Sequence, residues 1–345
     1  MCNSKSAAPG ARAEPEALLV VEGLRVHIET RAGTVKAVDG LSLSVGHGRT
    51  LGLVGESGCG KTMTALSIMG LLPAPAARIV DGSIRFEDRE LLRLPERELD
   101  AIRGREIGMI FQDPLTSLNP SFTIGFQLVE TLRRHLGLGK SAARDRAVEL
   151  LTEVRIPGAH RRLDDYPHHL SGGMRQRVMI ALAVACNPKL LIADEPTTAL
   201  DVTIQAQILD LLEDLREQHG MAMIIITHDM GVVAEVADEV VVMYAGQVIE
   251  SCGVVDVFER PEHPYTEALL GALPPLDGDD LRHARLTAIP GQPPSMRNLP
   301  SGCRFAPRCP YAGLDDDCAA VPQELREIRP GHLVRTAHPR SLRTV

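Results

Sequence analysis

The sequence predicts an α/β protein with a mostly parallel central sheet, and three of its features support that class. Apolar segments of strand length alternate with helical apolar patterns between residues 51 and 244, which is typical of parallel strands covered by helices on both faces. A glycine-rich loop at 55–62 joins one such strand to a helix. An apolar segment at 190–193 ends in two adjacent carboxylates, Asp194 and Glu195.

Length, composition and charge exclude several classes of protein. The chain has 345 residues, enough for one large domain or two ordinary ones. It carries 45 acidic and 37 basic residues, a formal net charge of -8, so no overall basic field attracts nucleic acid or anionic lipid. Aromatic residues make up 3% and Trp is absent, which argues against base-stacking platforms. No apolar run reaches the roughly 18 to 20 residues of a membrane span, because the longest candidate, 178–193, is interrupted by Asn187, Pro188 and Lys189.

The N-terminal part predicts a tail followed by an antiparallel β subdomain. Residues 1–16 are rich in Ala, Pro and Ser and lack the apolar core of a signal peptide, so we expect a disordered tail on a cytosolic protein. Short apolar runs separated by turn residues then predict strands. These runs lie at 18–21, 24–28, 41–45 and 51–54, and further strands are expected at 83–87 and 107–111. After the glycine-rich loop, apolar residues at helical spacing predict a helix that ends at Gly70 and Pro73.

The rest of the chain predicts a helical insertion, more strands and a different C-terminal segment. The apolar pattern is helical from 123 to about 185, with loops at 137–141 and 157–171, so we expect an inserted helical subdomain at about 114–185. Strands follow at 190–193, 221–226 and 240–244, with an amphipathic helix before Gly220 between the first two. Beyond Arg260 the chain becomes Pro-rich. We therefore expect a main domain at 17–260 and a separate extension at 261–345.

The glycine-rich loop has the spacing Gly-x4-Gly-Lys-Thr of a phosphate-binding loop. Glycines in such a loop let backbone N–H groups approach phosphate oxygens at a helix N-terminus. Lys61 would neutralise phosphate charge, and the Thr62 hydroxyl would bind Mg²⁺. The alternative, an ordinary glycine-rich turn, is disfavoured by the flanking strand and helix. The candidate nucleotide-binding residues are Gly55, Ser57, Gly58, Cys59, Gly60, Lys61 and Thr62.

The paired carboxylates predict a second part of the same site. Adjacent acids at the end of a buried strand are costly unless a cation or a substrate uses them. Asp194 suits coordination of Mg²⁺, and Glu195 suits the activation of an attacking water as a general base. A solvated acidic turn is the alternative, and it is less favoured beside a phosphate-binding loop.

A serine and two glycines predict a second anion-receptive helix N-terminus. Ser171, Gly172 and Gly173 open the helix before the carboxylate strand, where N–H groups and the helix dipole favour an anion. Taken alone, they fit an N-cap with a flexible turn equally well. Three polar residues placed after strands or after the carboxylates accompany them: Gln112, Asp201 and His228.

These motifs together resemble the ATP-binding cassette (ABC) ATPases that power transport, over about residues 18–260. The resemblance implies that two cassettes close head to tail around two ATP molecules. Ser171, Gly172 and Gly173 would then act on the nucleotide held by the partner cassette, and Asp201 would contact the partner.

The same resemblance assigns roles to the residues near the carboxylates. Gln112 would sense Mg²⁺ and the attacking water, and His228 would sense the γ-phosphate and keep Glu195 in line. Mg²⁺ would be held through Thr62, Gln112 and Asp194. Hydrolysis would proceed by positioning and charge stabilisation.

Further segments resemble one subgroup, the importers of dipeptides, oligopeptides and nickel. They include Glu262-His263-Pro264-Tyr265-Thr266 and a tail with Cys303, Cys309 and Cys318. Several members carry a 4Fe-4S cluster on four cysteines, but Thr336 stands where the fourth is expected. A cluster would then need another ligand, such as His338, or an open position. Three reduced structural cysteines are the alternative, because Thr is a poor ligand for soft metals.

Adenine recognition departs from the family pattern. Such ATPases commonly stack the base on an aromatic residue of the N-terminal strands, but residues 18–54 contain none. Arg31 lies on a turn there and is a candidate for stacking through its guanidinium plane. A solvated surface charge is the alternative.

The resemblance implies an ATPase subunit of an importer for di- or oligopeptides, bound peripherally to the cytoplasmic face of the cell membrane. Its partners would be two transmembrane permease subunits, a second identical or related ATPase and, indirectly, an extracytoplasmic substrate-binding protein. An importer of nickel or another small solute is the first alternative. A soluble cassette ATPase acting on nucleic acid is a second, which the net charge disfavours. A weakly active regulatory protein is a third, which Glu195 and His228 disfavour.

Overall fold

Two β-sheets and a set of helices between and around them organise the molecule. The structure is a computed structural model, and it describes residues 17–198, 200–273, 289–312 and 316–342. The expected disordered tail at 1–16 lies outside these residues. The strands are β1 Ala17–Thr30, β2 Gly33–Gly46, β3 Thr50–Val54, β4 Ala77–Phe86, β5 Arg89–Glu90, β6 Ile107–Ile110, β7 Leu190–Asp194, β8 Ala222–Thr227, β9 Glu239–Tyr244, β10 Gln247–Gly253, β11 Arg326–Arg329 and β12 His332–Val334.

The helices alternate with the strands of the central sheet and fill the insertion after β6. They are α1 Lys61–Ile68, α2 Glu96–Ile102, α3 Pro114–Ser117, α4 Ile124–Leu136, α5 Lys140–Glu153, α6 Ala159–Arg162, α7 Gly172–Val184, α8 Val202–His219, α9 Met230–Val236, α10 Val254–Glu259, α11 Pro264–Gly271 and α12 Asp316–Ala320. Helix α8 ends at Gly220, whose φ of 62° closes the last turn in the left-handed conformation that glycine favours.

The N-terminal sheet is antiparallel, with the strand order β2-β1-β4-β5. The sequence predicts two short strands at 18–21 and 24–28, but the structure has one long strand with a bulge between Val21 and Leu24. The chain passes this bulge because Gly23 takes a φ of 58°, so pairing with β2 resumes on the other side.

The central sheet has eight strands in the order β11-β12-β10-β9-β3-β8-β7-β6, and the five from β9 to β6 are parallel. Every residue of β3, β7 and β8 is buried, as expected for strands with both faces covered. The predicted fold class is therefore confirmed. The carboxyl ends of the parallel strands meet at one edge of the sheet, where open α/β sheets bind their ligands.

The C-terminal segment joins the central sheet. Strand β12 pairs with β10 through Glu250 and Val334, although the sequence predicts an extension separate from the main domain. The buried carboxylate of Glu250 accepts hydrogen bonds from the backbone N–H groups of Glu262 and His263, at 2.7 and 2.9 Å. Its Oε1 also lies 2.7 Å from Nε2 of His332. A single buried carboxylate thus ties the start of the C-terminal segment and its last strand to the sheet.

Candidate functional site

The phosphate-binding loop leaves the carboxyl end of β3 and enters α1, and two of its glycines are sterically required. Gly55 has a φ of 152° and Gly60 a φ of 110°. A Cβ on Gly55 would collide with the carbonyl oxygen of Met243, and a Cβ on Gly60 with that of Ala37. The positive φ values and the close neighbours both exclude other residues. The loop therefore packs directly on strand β9 and strand β2.

Lys61, the first residue of α1, is held against the loop. Its side chain is buried, and Nζ donates hydrogen bonds to the carbonyl oxygens of Gly55 and Glu56 at 2.6 and 3.1 Å. The backbone N–H of Cys59 donates to the same Glu56 oxygen at 3.2 Å. The ammonium group is thus fixed beside the loop, where it can neutralise bound phosphate.

A cavity of about 350 Å³ lies over this loop. It brings the loop together with Gln112 and Glu195 from two neighbouring strand ends. The loop and helix residues that line it are Ser57, Gly58, Gly60, Lys61, Thr62 and Met63. The cavity therefore joins a phosphate-binding surface to a carboxylate that can act as a base.

Asp194, the last residue of β7, has a buried carboxylate with one oxygen that accepts no hydrogen bond. It is 2% exposed, and its Oδ1 has no hydrogen-bond partner among the described residues. Burial raises the pKa of its carboxyl group, and a hydrogen bond from the Thr62 side chain opposes that rise. A buried carboxylate oxygen beside a threonine hydroxyl is the oxygen donor set that Mg²⁺ prefers. The residues present therefore fit a Mg²⁺ ion.

Glu195 follows Asp194 in the left-handed backbone conformation. Its φ is 48°, uncommon for a residue with a side chain, and its N–H donates to the carbonyl of Ile226 at 2.9 Å. Its Oε2 accepts hydrogen bonds from Nε2 of Gln112 at 2.9 Å and from Oγ1 of Thr198 at 2.8 Å. Nδ1 of His228 lies 3.5 Å from Oε1. Gln112 and His228, the two residues expected to act with Glu195, thus lie beside its carboxylate, together with Thr198, which the sequence did not single out.

The serine and glycines of the second helix N-terminus lie elsewhere. Oγ of Ser171 caps α7 and accepts the N–H of Met174 at 3.4 Å, with Gly172 and Gly173 in the first turn. Asp201 caps α8 by accepting the N–H of Ile204 at 3.0 Å. None of these four candidate residues lines the cavity.

The structure does not bring Arg31 to the cavity. Arg31 is exposed at the tip of the β1–β2 hairpin, whereas the hairpin residues that line the cavity are Ile28, Val35 and Ala37. Ile28 and Val35 are paired across the two strands, and side chains on one face of a sheet alternate with those on the other. The remaining wall is Met296 of the C-terminal segment. An apolar surface thus takes the place that sequence reasoning gave to Arg31.

Sequence reasoning missed three residues that hold the site together. Nε2 of Gln176 on α7 donates to the carbonyl oxygen of Pro196 at 2.7 Å and so connects that helix to the carboxylate loop. Tyr265 and Arg308 both bond to Glu56 in the phosphate-binding loop. The motifs around Tyr265 and Arg308 were visible in the sequence, but only as marks of a subgroup and not as contacts.

The cysteines of the C-terminal segment lie in one apolar cluster with Phe305. Cys303 and Cys318 are buried, and burial raises the pKa of the Cys303 thiol. Thr336 is also buried, and its Oγ1 accepts the N–H of His338 at 3.1 Å. In the part of the chain that the structure describes, the only close group of three possible metal ligands is Glu250, Cys252 and His332. The donor set of the tail does not match a cluster held by four thiolates.

Two family models match the sequence of this chain. The family model described as ABC transporter matches residues 38–198, and the model described as oligopeptide/dipeptide transporter, C-terminal region, matches 249–318. No helix among the described residues is both long enough and apolar enough to span a membrane.

Curated relatives match nearly the whole chain. The oligopeptide transport ATP-binding protein AppD of Bacillus subtilis is 52% identical over 92% of this chain and 95% of its own length. The dipeptide transport protein DppD of Escherichia coli is 49% identical, covering 94% and 97% of the two chains. OppD of Escherichia coli is 50% identical, covering 94% of both.

Solved structures match the main part of the fold. The dimeric ATP-binding cassette MJ0796, bound to ADP and Pi, has a TM-score of 0.61 at 28% identity and covers 68% of this chain and 98% of its own. CbiO1 of Clostridium perfringens, part of an ABC transporter complex, has a TM-score of 0.59 at 29% identity and covers 70% and 91%.

The buried carboxylate of Asp194 predicts a gain in stability when its charge is removed. Asp194→Asn keeps the shape but removes a desolvated charge, so we expect the metal-free protein to gain about 1 to 2 kcal/mol in free energy of unfolding. The melting temperature in EDTA should rise by about 1.5 to 3 °C, measured by differential scanning calorimetry. Asp201→Asn, which changes an exposed N-cap, is the control and should alter it by less than about 1 °C. A lower melting temperature for Asp194→Asn would contradict this description of the site.

Proposed function

The chain belongs to the ABC transporter family, as its motifs predict, and we propose that it is the ATP-hydrolysing subunit of an importer for di- or oligopeptides. The peptide assignment is supported by the match of residues 249–318 to the C-terminal region of oligopeptide/dipeptide transporters. It is further supported by relatives named for oligopeptide and dipeptide transport that cover over nine tenths of the chain. Among the residues that the structure describes, no contact favours nickel or nucleic acid over peptide.

One observation carries the hydrolytic function: a carboxylate braced by Gln112 and His228 shares a cavity with the phosphate-binding loop. The N–H groups of the loop and the ammonium of Lys61 bind and orient the phosphates of ATP. The carboxylate of Glu195 accepts a proton from the water that attacks the γ-phosphorus. Phosphate charge that develops in the transition state is stabilised by Lys61 and His228.

Mg²⁺ would be held by Thr62, Asp194 and Gln112. When bound, the ion supplies charge neutralisation for the phosphates. The protein's own contribution is positional, because Gln112 bonds to Glu195 and lines the same cavity as Thr62. Movement of Gln112 would therefore alter the position of the general base.

The complete catalytic unit is a pair of cassettes. Ser171, Gly173 and Asp201 do not line the cavity of their own chain, and they are available to the nucleotide held by a second cassette. The cassette MJ0796 is described as dimeric, which supports this arrangement. We propose a second, identical or related ATPase, two permease subunits on the cytoplasmic face of the membrane, and an extracytoplasmic substrate-binding protein that acts through them.

The cysteines of the tail are proposed to be reduced thiols with a packing role. A raised pKa keeps the Cys303 thiol protonated, and thiolates are the form that binds iron. The hydroxyl of Thr336 is already engaged with a backbone N–H. No step of ATP hydrolysis involves these thiols.

Replacement of the general base tests the hydrolytic function. Glu195→Gln keeps the size and one acceptor oxygen but cannot take a proton, so ATP turnover should fall by about 10²-fold or more while ATP still binds. Phosphate release and nucleotide binding are measured on the same preparations. Glu98→Gln, on the exposed face of α2, is the matched control and should keep wild-type turnover. A Glu195→Gln protein as active as the wild type would exclude this mechanism.

The apolar wall of the cavity leads to a separate prediction about how adenine is bound. Met296→Ala removes apolar surface next to the position expected for adenine, so the KM for ATP should rise about three- to tenfold with kcat nearly unchanged. Arg31→Ala, at the exposed hairpin tip, should leave KM within about twofold. Steady-state kinetics decide between the two positions. A larger rise in KM for Arg31→Ala than for Met296→Ala would contradict the placement of adenine against the apolar wall.

A further inference from the structure

Glu56, the second residue of the phosphate-binding loop, is bonded to the protein through all of its polar groups. Its carbonyl oxygen accepts from Lys61 and Cys59 within the loop. Its N–H donates to the hydroxyl oxygen of Tyr265 at 3.0 Å. Its two carboxylate oxygens accept from Nη1 and Nη2 of Arg308 at 2.7 and 3.0 Å. Two of these four partners, Tyr265 and Arg308, lie more than 200 positions away in the C-terminal part of the chain, and they anchor the loop from outside.

The first anchor, Tyr265, is fixed by the motif Glu262-His263-Pro264-Tyr265-Thr266. The carboxylate of Glu250 holds the start of this motif through two backbone N–H groups. Nδ1 of His263 accepts the N–H of Tyr265 at 3.0 Å and caps α11. Tyr265 is fully buried, so its hydroxyl is presented to the loop from a rigid position.

The second anchor, Arg308, is equally constrained. It is 7% exposed. Its Nε donates to the carbonyl oxygen of Pro290 at 2.8 Å, and Nη1 also donates to the Tyr244 hydroxyl at 3.2 Å. The guanidinium lies 5.9 and 6.0 Å from the ring centroids of Tyr244 and Phe305. A planar guanidinium group held in this way can donate two parallel hydrogen bonds to one carboxylate, which the ammonium group of a lysine cannot do.

The ion pair of Arg308 with Glu56 reduces the repulsion between the Glu56 carboxylate and a bound phosphate. A carboxylate that lies two to six residues from the phosphate-binding N–H groups would repel a polyanion, and the repulsion is strong where water is partly excluded. Arg308 neutralises that charge and also fixes its direction. The bond to Glu56 further raises the pKa of the guanidinium, which stays charged at any physiological pH.

We infer that Arg308 is a positioning residue of the ATP site: through Glu56 it holds the phosphate-binding loop in its binding geometry and removes the charge that would repel the phosphates. This inference rests on the proposed ATPase function. The C-terminal segment is then part of the nucleotide site and not an appendage, and a change in that segment would alter ATP affinity directly.

The test compares Arg308→Met, Arg308→Lys and Glu56→Gln, singly and in the combination Arg308→Met with Glu56→Gln. Arg304→Met is the matched control, because Arg304 lies four residues away, has a side chain only 9% exposed, and pairs with Asp39 instead of Glu56. ATP and ADP dissociation constants, KM, kcat and melting temperature are measured on the full chain. Loss of a buried charge pair typically costs a tenfold or larger factor in affinity.

We expect Arg308→Met to weaken ATP and ADP binding about tenfold and raise KM to match, with kcat changed less than about twofold. The ATP affinity of Arg308→Lys should lie between those of the wild type and Arg308→Met, because lysine keeps the positive charge but cannot bond to both carboxylate oxygens at once. The double variant should bind ATP more tightly than Arg308→Met alone, because it no longer carries the unpaired carboxylate. A purely structural role would lower the melting temperature in Arg308→Met and Arg304→Met alike and leave KM unchanged.

Each outcome is decisive. Wild-type turnover together with equal KM values in Arg308→Met and Arg304→Met would overturn the inference and leave the ATPase function standing. A double variant that binds no better than Arg308→Met would overturn the electrostatic part. Absence of ATP turnover in the wild type itself would overturn the proposed function, and the inference with it.

Discussion

The backbone conformation of the phosphate-binding loop determines how the strands and the C-terminal segment pack around it. Its N–H groups can face a phosphate only if Gly55 and Gly60 adopt positive φ and the loop lies directly on its neighbours. The strand beneath, β9, meets Gly55 through the carbonyl group of Met243, and Gly246, just after that strand, donates its N–H to the Cys59 carbonyl at 2.9 Å. A loop of this kind is costly in conformational entropy, and its fixed shape needs anchors outside itself. The anchors at Glu56 come from the C-terminal segment.

The parallel sheet determines which side chains can reach that loop. Strands β3, β6, β7 and β8 end at the same edge, so the residues that follow them converge although they are far apart in sequence. Asp194 and Glu195 have different environments. Asp194 stays buried with one carboxylate oxygen unpaired. Glu195 has a positive φ, and its carboxylate lies beside Gln112 and His228. Strain and an uncompensated charge occur together where chemistry requires them.

The sequence predicted best those parts whose physical cause is local. The loop glycines, the buried strands and the end of α8 at Gly220 each follow from a short pattern, and so does the convergence of Gln112, Glu195 and His228 once a parallel sheet is assumed. Strands β10 to β12 were missed because two of them are only three or four residues long and are stabilised by Glu250 and pairing, not by an apolar pattern. Arg31 was chosen for its position on a turn, but the direction of its side chain depends on hairpin register. Tyr265 and Arg308 contact Glu56 across more than 200 residues, a distance at which no sequence spacing is informative.

Hydrogen–deuterium exchange of the loop tests the central claim that the C-terminal segment holds the phosphate-binding loop in place. The backbone N–H groups of residues 56–61 are followed in the wild type, in Arg308→Met and in Arg304→Met, without nucleotide. Faster exchange of these groups in Arg308→Met alone is the result expected if the loop depends on the bond between Arg308 and Glu56. Exchange as slow in Arg308→Met as in the wild type would contradict the claim, because the loop would then hold its shape without the C-terminal anchor.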